Sequence, residues 1–207
     1  MSAATWTILG LGNFVWDVID AIESRGGVVE RVVLNVEVDP GLVVRLPAGV
    51  EIVGIDGFQP SSAHHCFGFT GPAIAGLLAR VEPFGLDFAS LIHATAYLAP
   101  TARVGRGTFV GAGAVVAPHA VVGDFTYVNR QVSIGHDVTL GGFGRTGPGA
   151  IVCGLAVVGD RFYLGAGSVV RDRVRICPDV FVGAGAAVVG DIVEPGTYVG
   201  IPARKRA

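Results

Sequence analysis

Between Ile92 and Val188 an aliphatic side chain returns at every sixth residue, and no insertion breaks the register. Sixteen of the seventeen positions, from Ile92, Leu98 and Val104 to Val182 and Val188, are Ile, Leu or Val; Thr146 alone departs. The next residue is Gly at nine of the seventeen, and small residues such as Ala96, Ala114, Ala150 and Ser168 recur four places after the aliphatic one. A period of six is neither the 3.6 of a helix nor the two of a simple strand. It predicts a coil of short flat strands joined by tight corners. The aliphatic side chain points inward, the small residue fits near the corner, and glycine relaxes the backbone at the turn. Each rung of such a coil buries itself only against the next, so the repeat must run on to be stable. A valine-rich sandwich would need strands and turns of varying length, and here the spacing never slips.

The repeat accounts for the 32 glycines, which follow no collagen triplet. Hydrophobic residues at 51% and charged residues at 15% make a sizeable core easy to build. No apolar run is long enough to span a bilayer, and the start, "MSAATWTILGLGN", lacks the basic region of a signal peptide. A net charge of -2 without a like-charge block gives no nucleic-acid surface. Cys66, Cys153 and Cys177 form no CxxC pair, which argues against a disulfide framework or zinc knuckle and for a reducing, cytoplasmic setting. Cys153 and Cys177 occupy the slot after the aliphatic residue and are expected to be small buried hydrophobes.

Residues 1–88 read differently from residues 89–207. "TWTILGLGN", "FVWDVIDAIESRGG", "VVERVVLNVEVDPG", "GVEIVGIDG" and "HHCFGFTGPAIAGLLARV" alternate strand and helix, which predicts a small parallel, Rossmann-like α/β domain ahead of the coil. "GLGNFV" carries Gly10 and Gly12, but Val15 stands where a dinucleotide fingerprint has its third glycine. The expected use is therefore softer: amides at the start of the following helix holding a phosphate or a base. Gly10, Gly12 and Asn13 are the candidates, with Asp39 in "VEVDPG" as an acceptor for a ribose or base; Asp39 reads equally as a turn residue before Pro40. His64, His65 and His93 carry no signal of function.

"SIGHD" places His136 two residues after the inward Ile134, hence on the outside of the coil, with Asp137 beside it. A solvated turn histidine is one reading. A general base is another, since a neutral imidazole near pH 7 removes a proton and a carboxylate orients it.

The [LIV]-G-x4 repeat resembles the hexapeptide-repeat acyltransferases. The order of parts, with "LDFASLIHATAYLAPTARVG" before the repeat and "VEPGTYVGIPARKRA" after it, resembles the sialic-acid O-acetyltransferase and bacillosamine N-acetyltransferase type of sugar acyltransferase. That resemblance implies a left-handed parallel β-helix with three hexapeptides per coil. It implies acetyl-CoA as donor, a nucleotide-sugar substrate held by the N-terminal domain, no metal, and a homotrimer with sites between subunits. It makes His136 the base and Asp137 its orienting acid, with direct transfer in a ternary complex. Arg145 stands where the family has a second histidine nine residues after the base; it is assigned to the cofactor, as a donor to the thioester carbonyl or a phosphate. Ala166, Ala184 and Arg204 are further cofactor contacts. Two other classes remain open at this point: a non-catalytic β-helix scaffold or sugar-binding protein, and a zinc enzyme resembling the γ-class carbonic anhydrases. The second is weakened because His119 and His136 lack the HxxxxH spacing.

Overall fold

The computed structural model describes residues 3–36, 40–71 and 73–206. The chain opens with strand β1 (Thr5–Leu9), helix α1 (Val15–Ser24), strand β2 (Val28–Leu34), a single helical turn α2 (Pro40–Val43), strand β3 (Glu51–Gly54), strand β4 (His64–Phe67) and helix α3 (Ala73–Val81). The four strands form a parallel sheet in the order β3-β2-β1-β4. α1 buries Val15, Val18, Ile19 and Ile22, a stripe at helical spacing, against that sheet. The chain leaves β1 toward β2 and returns on its other side as β4. A crevice therefore opens beyond the carboxyl ends of β1 and β4.

From Leu91 onward the chain winds into a coil with three sheets as walls, almost all of its strands parallel. Face one carries strands beginning at Leu91, Phe109, Tyr127, Arg145 and Tyr163; face two those at Tyr97, Val115, Ser133, Ile151, Val169 and Ala187; face three those at Arg103, Val121, Thr139, Val157 and Arg175. Each strand pairs with the strand one turn on, so Val116, Ile134, Val152, Val170 and Val188 stack in a column. Three hexapeptides thus make one turn. The register residues fill one core: Val110, Val128, Ile134, Leu164 and Val182 are wholly buried. The final turn is shorter, with Val182 paired to Tyr198, and it closes with Arg204–Lys205 antiparallel to Gly196–Val199. Among the described residues no helix is long and apolar enough to cross a membrane.

The glycines after the register residues do a different job from the expected one. Positive φ falls two residues later, at every corner from Gly107 to Gly185 in steps of six, and nine of those residues are not glycine, including His119, Phe125, Asp137 and Leu155. The glycines next to the register residues are needed instead for close approach. A Cβ on Gly123 would lie 2.5 Å from Gly142 N, and one on Gly147 2.3 Å from Ala166 N. The spacing between coils, not the turn dihedral, excludes a side chain there.

The small-residue slot is buried as expected: Ala114, Ala150 and Ala186 are at most 1% exposed. Ser168 shares that slot at 0% exposure, and its hydroxyl has no hydrogen-bond partner. Ser168→Ala is expected to gain about 1 kcal/mol, raising the melting temperature by about 2–4 °C. A fall in thermal denaturation would show that the hydroxyl is satisfied. Thr146 is explained locally. Asn129 N–H donates to its Oγ1 (2.9 Å), and the strand pairing between Tyr127 and Arg145 is limited to that one residue pair. Cys153 and Cys177 are only half-buried, contrary to expectation, because the slot after the register residue lies at the corner rather than inside. Cys66 is buried in the α/β sheet, which pushes its thiol up to about 12.

The α/β unit packs on face one. Leu91, Phe109 and Tyr127 join the core under α1, while Phe125 joins Phe67 and Phe88. Arg25 Nε donates to Ile92 O (2.6 Å), and His93 bridges Asp20 (3.1 Å) and Thr95 (2.9 Å). His65 is buried between Phe58 and Phe88, with Nδ1 against Asp87 O (3.3 Å). Burial lowers its pKa. His93 thus joins the unit to the coil.

Candidate active site

His136 sits at the corner between faces two and three. Gly135 N–H is bound to Val152 O (2.8 Å) and Asp137 N–H to Pro118 O (3.0 Å), so the corner is tied to the turns on both sides. Asp137 takes a left-handed conformation, φ 57°, which a short polar side chain tolerates. That conformation accompanies a 2.9 Å contact between its carboxylate and His136 Nδ1. In a neutral ring, Nδ1–H donates to the carboxylate and Nε2 keeps its lone pair. The imidazole is 62% exposed, as expected for an outward residue. It lies over Gly154, one turn along: a Cβ there would come within 2.7 Å of Nε2. Among the described residues no three His, Cys, Asp or Glu side chains converge as a metal site would require.

The substrate candidates Gly10 and Gly12 lie in the crevice at the ends of β1 and β4. Gly10, at φ 77°, donates to Val33 O (2.7 Å), and Gly12 N–H donates to Gly68 O (3.2 Å). Both approach Phe69 too closely for a side chain. Asn13 is exposed beside them, and α1 begins at Val15, after Phe14, with no side-chain cap on its first amides. Asp39 lies outside the described residues.

Arg145 adjoins this crevice through Phe14 and Thr70, the chain neighbours of Asn13 and Phe69. It projects from face one into a cleft of about 140 Å³ lined by Phe14, Thr70, Tyr127 and Asn129. Ala166 and Ala184 are exposed and stacked at the corner between faces one and two, linked by Gly185 N–H to Ala166 O (2.8 Å). Arg204 is exposed on the closing strand, which shows that the C-terminal segment is not frayed. One chain thus holds three separate groups: His136 with Asp137, Ala166 with Ala184, and the crevice with Arg145. Face two lies between the first two groups and presents Tyr97, Val115 and Ile151, at 56%, 39% and 42% exposure.

Tyr127 and Thr70, both at the cleft, were not evident from motifs. The available signal was an outward aromatic recurring along face one at Phe109, Tyr127, Tyr163 and Phe181.

No family model matches the sequence. A serine acetyltransferase from Helicobacter pylori is 35% identical over 105 residues, which is 51% of this chain and 57% of that protein. The chain therefore spans little more than half the length of the curated relative. Solved structures match it from end to end. A histidine-to-asparagine mutant of perosamine N-acetyltransferase from Caulobacter crescentus, in complex with CoA and GDP-perosamine, is 27% identical with a TM-score of 0.87 over 100% of this chain and 98% of that one. The acetyltransferase domain of PglB from Neisseria gonorrhoeae, in complex with acetyl coenzyme A, is 25% identical with a TM-score of 0.87 over 99% and 100%. The unbroken sixfold register, the parallel α/β unit packed on its first face and these end-to-end likenesses agree: the chain is similar in fold, over its whole length, to hexapeptide-repeat sugar acetyltransferases.

Proposed function

We propose that this protein transfers an acetyl group from acetyl-CoA to an amino or hydroxyl group of a nucleotide-linked sugar. The single observation that carries this is the end-to-end likeness to enzymes solved in complex with CoA and GDP-perosamine, or with acetyl-CoA. The fold in this reading is a Rossmann-like domain, residues 1–88, followed by a left-handed β-helix, residues 89–207. The sheet order and the three-walled coil support that division.

In this reaction His136 Nε2 takes the proton from the attacking amine or hydroxyl as that group's lone pair bonds to the thioester carbonyl carbon; the C–S bond then breaks, and the imidazolium returns the proton to the departing CoA thiolate. Asp137 holds the ring by Nδ1 and stabilises the imidazolium that forms. The nucleotide-sugar occupies the crevice at Gly10, Gly12 and Asn13. The acyl-CoA arm runs along Ala166 and Ala184 toward Arg204. The separation of these groups on one chain supports a homotrimer in which neighbouring copies complete each site. The apolar outer surface of face two supplies a surface for that contact. The unpaired cysteines fit a cytoplasmic setting.

The test is thiol release from acetyl-CoA with a panel of UDP- and GDP-linked amino sugars. Turnover with at least one of them is expected; none with any, under conditions where both ligands bind, would favour a scaffold. Gly154 gives a sharper check on the imidazole. Gly154→Ala is expected to push the ring aside and lower kcat about 100-fold, with the melting temperature nearly unchanged because the ring, not backbone, gives way. An unaltered kcat would show that the ring's seat over Gly154 is immaterial.

A further inference from the structure

Arg145 is a half-buried cation that no carboxylate pairs with among the described residues. The nearest candidates are already taken. Asp179, on the adjoining cleft, holds Arg161 through two 2.7 Å bonds, and Asp17 faces Arg130 at 3.4 Å. The Arg145 guanidinium stacks on Tyr163, 4.5 Å from the ring centroid, which fixes its plane without neutralising it. A methyl group on Gly71 would lie 3.9 Å from Arg145 Nη1, so the guanidinium reaches the loop after β4.

One further group faces the same cleft without a partner: Thr70 Oγ1 is buried with no hydrogen bond. Tyr127 is 5% exposed, with the Asp17 carboxylate against its hydroxyl. Leaving a buried donor unmade is costly, and a partly desolvated guanidinium favours a planar oxyanion.

We infer that Arg145, with the Thr70 hydroxyl, forms a subsite for an anionic oxygen group of the nucleotide-sugar, and so selects substrate rather than holding the acyl donor. This rests on the acyltransferase reading given above. The diphosphate and a carboxylate on the sugar share that chemistry. Arg145 projects from the wall on which the α/β unit sits and shares its cleft with Phe14 and Thr70 of that unit, whereas Ala166 and Ala184 lie at the next corner.

The test is calorimetric titration of the full-length assembly, as wild type, Arg145→Met and Arg145→Lys, with UDP, GDP, UDP-glucose, UDP-glucuronate and acetyl-CoA. In Arg145→Met the anionic probe is expected to bind about 10- to 100-fold more weakly, acetyl-CoA within twofold of wild type, with partial recovery in Arg145→Lys. Loss for UDP and GDP alike identifies the diphosphate; loss for UDP-glucuronate alone identifies a sugar carboxylate. Unchanged nucleotide binding, with or without weakened acetyl-CoA binding, overturns the inference and leaves the acyltransferase reading standing. Failure of wild type to bind both acetyl-CoA and every nucleotide overturns both.

Discussion

His136→Ala is expected to lower kcat for acetyl transfer by about 100- to 10,000-fold while leaving the fold intact. The imidazole is mostly exposed and contributes one side-chain hydrogen bond, to Asp137, so its removal opens no core cavity. What disappears is the imidazole that Asp137 orients, a group able to accept the proton of an attacking amine or hydroxyl near neutral pH. Asp137→Asn should fall between wild type and His136→Ala, because the amide still contacts Nδ1 but no longer stabilises the imidazolium. The measurement is steady-state thiol release, with circular dichroism to confirm the coil. A His136→Ala enzyme at wild-type rate would remove the base assignment.

The largest structural effect is expected at a residue with no chemistry. Gly123→Ala places a methyl group 2.5 Å from Gly142 N and 2.6 Å from Gly141 C, where only backbone surrounds it. No rotamer relieves that contact, so the coils must separate where Gly123 N–H donates to Leu140 O (2.8 Å). The cost is roughly 3 kcal/mol, equivalent to about 6–12 °C in melting temperature for a chain of this size. Gly149→Asn is the control. Gly149 has φ 66° and open space around it, and nine other residues already adopt that conformation with side chains. Its effect should stay near 1 kcal/mol. Equal losses at both positions in thermal unfolding would refute the close-approach account of the corner glycines.

The coil was legible because one demand, an inward aliphatic per hexapeptide, leaves a strict period in the sequence. The reason for the glycines was not. Gly satisfies both positive φ and close approach, and the positive φ falls on His119, Phe125, Asp137 and Leu155, residues that announce nothing of the kind. The α/β elements were recovered in order, although α2 was not anticipated. His136 stood out as a candidate because its motif is local. The surroundings of Arg145 were not, because they depend on which wall the α/β unit covers, and that is set by Phe109, Phe125 and Tyr127 packing under it. The proposed assembly has a fainter trace still, since the apolar outer residues of face two alternate with inward ones and read simply as more strand.

The central claim is that the imidazole of one chain serves the crevice of another. Subunit complementation measures this directly. His136→Ala lacks the base, and Gly12→Leu closes the crevice against Phe69 and Gly68. Each is expected to be nearly inactive alone. After co-refolding in equal amounts, about a quarter of wild-type activity should return, from sites that pair an open crevice with a neighbour's intact histidine. Activity in the mixture no greater than in the separate variants would contradict a shared site.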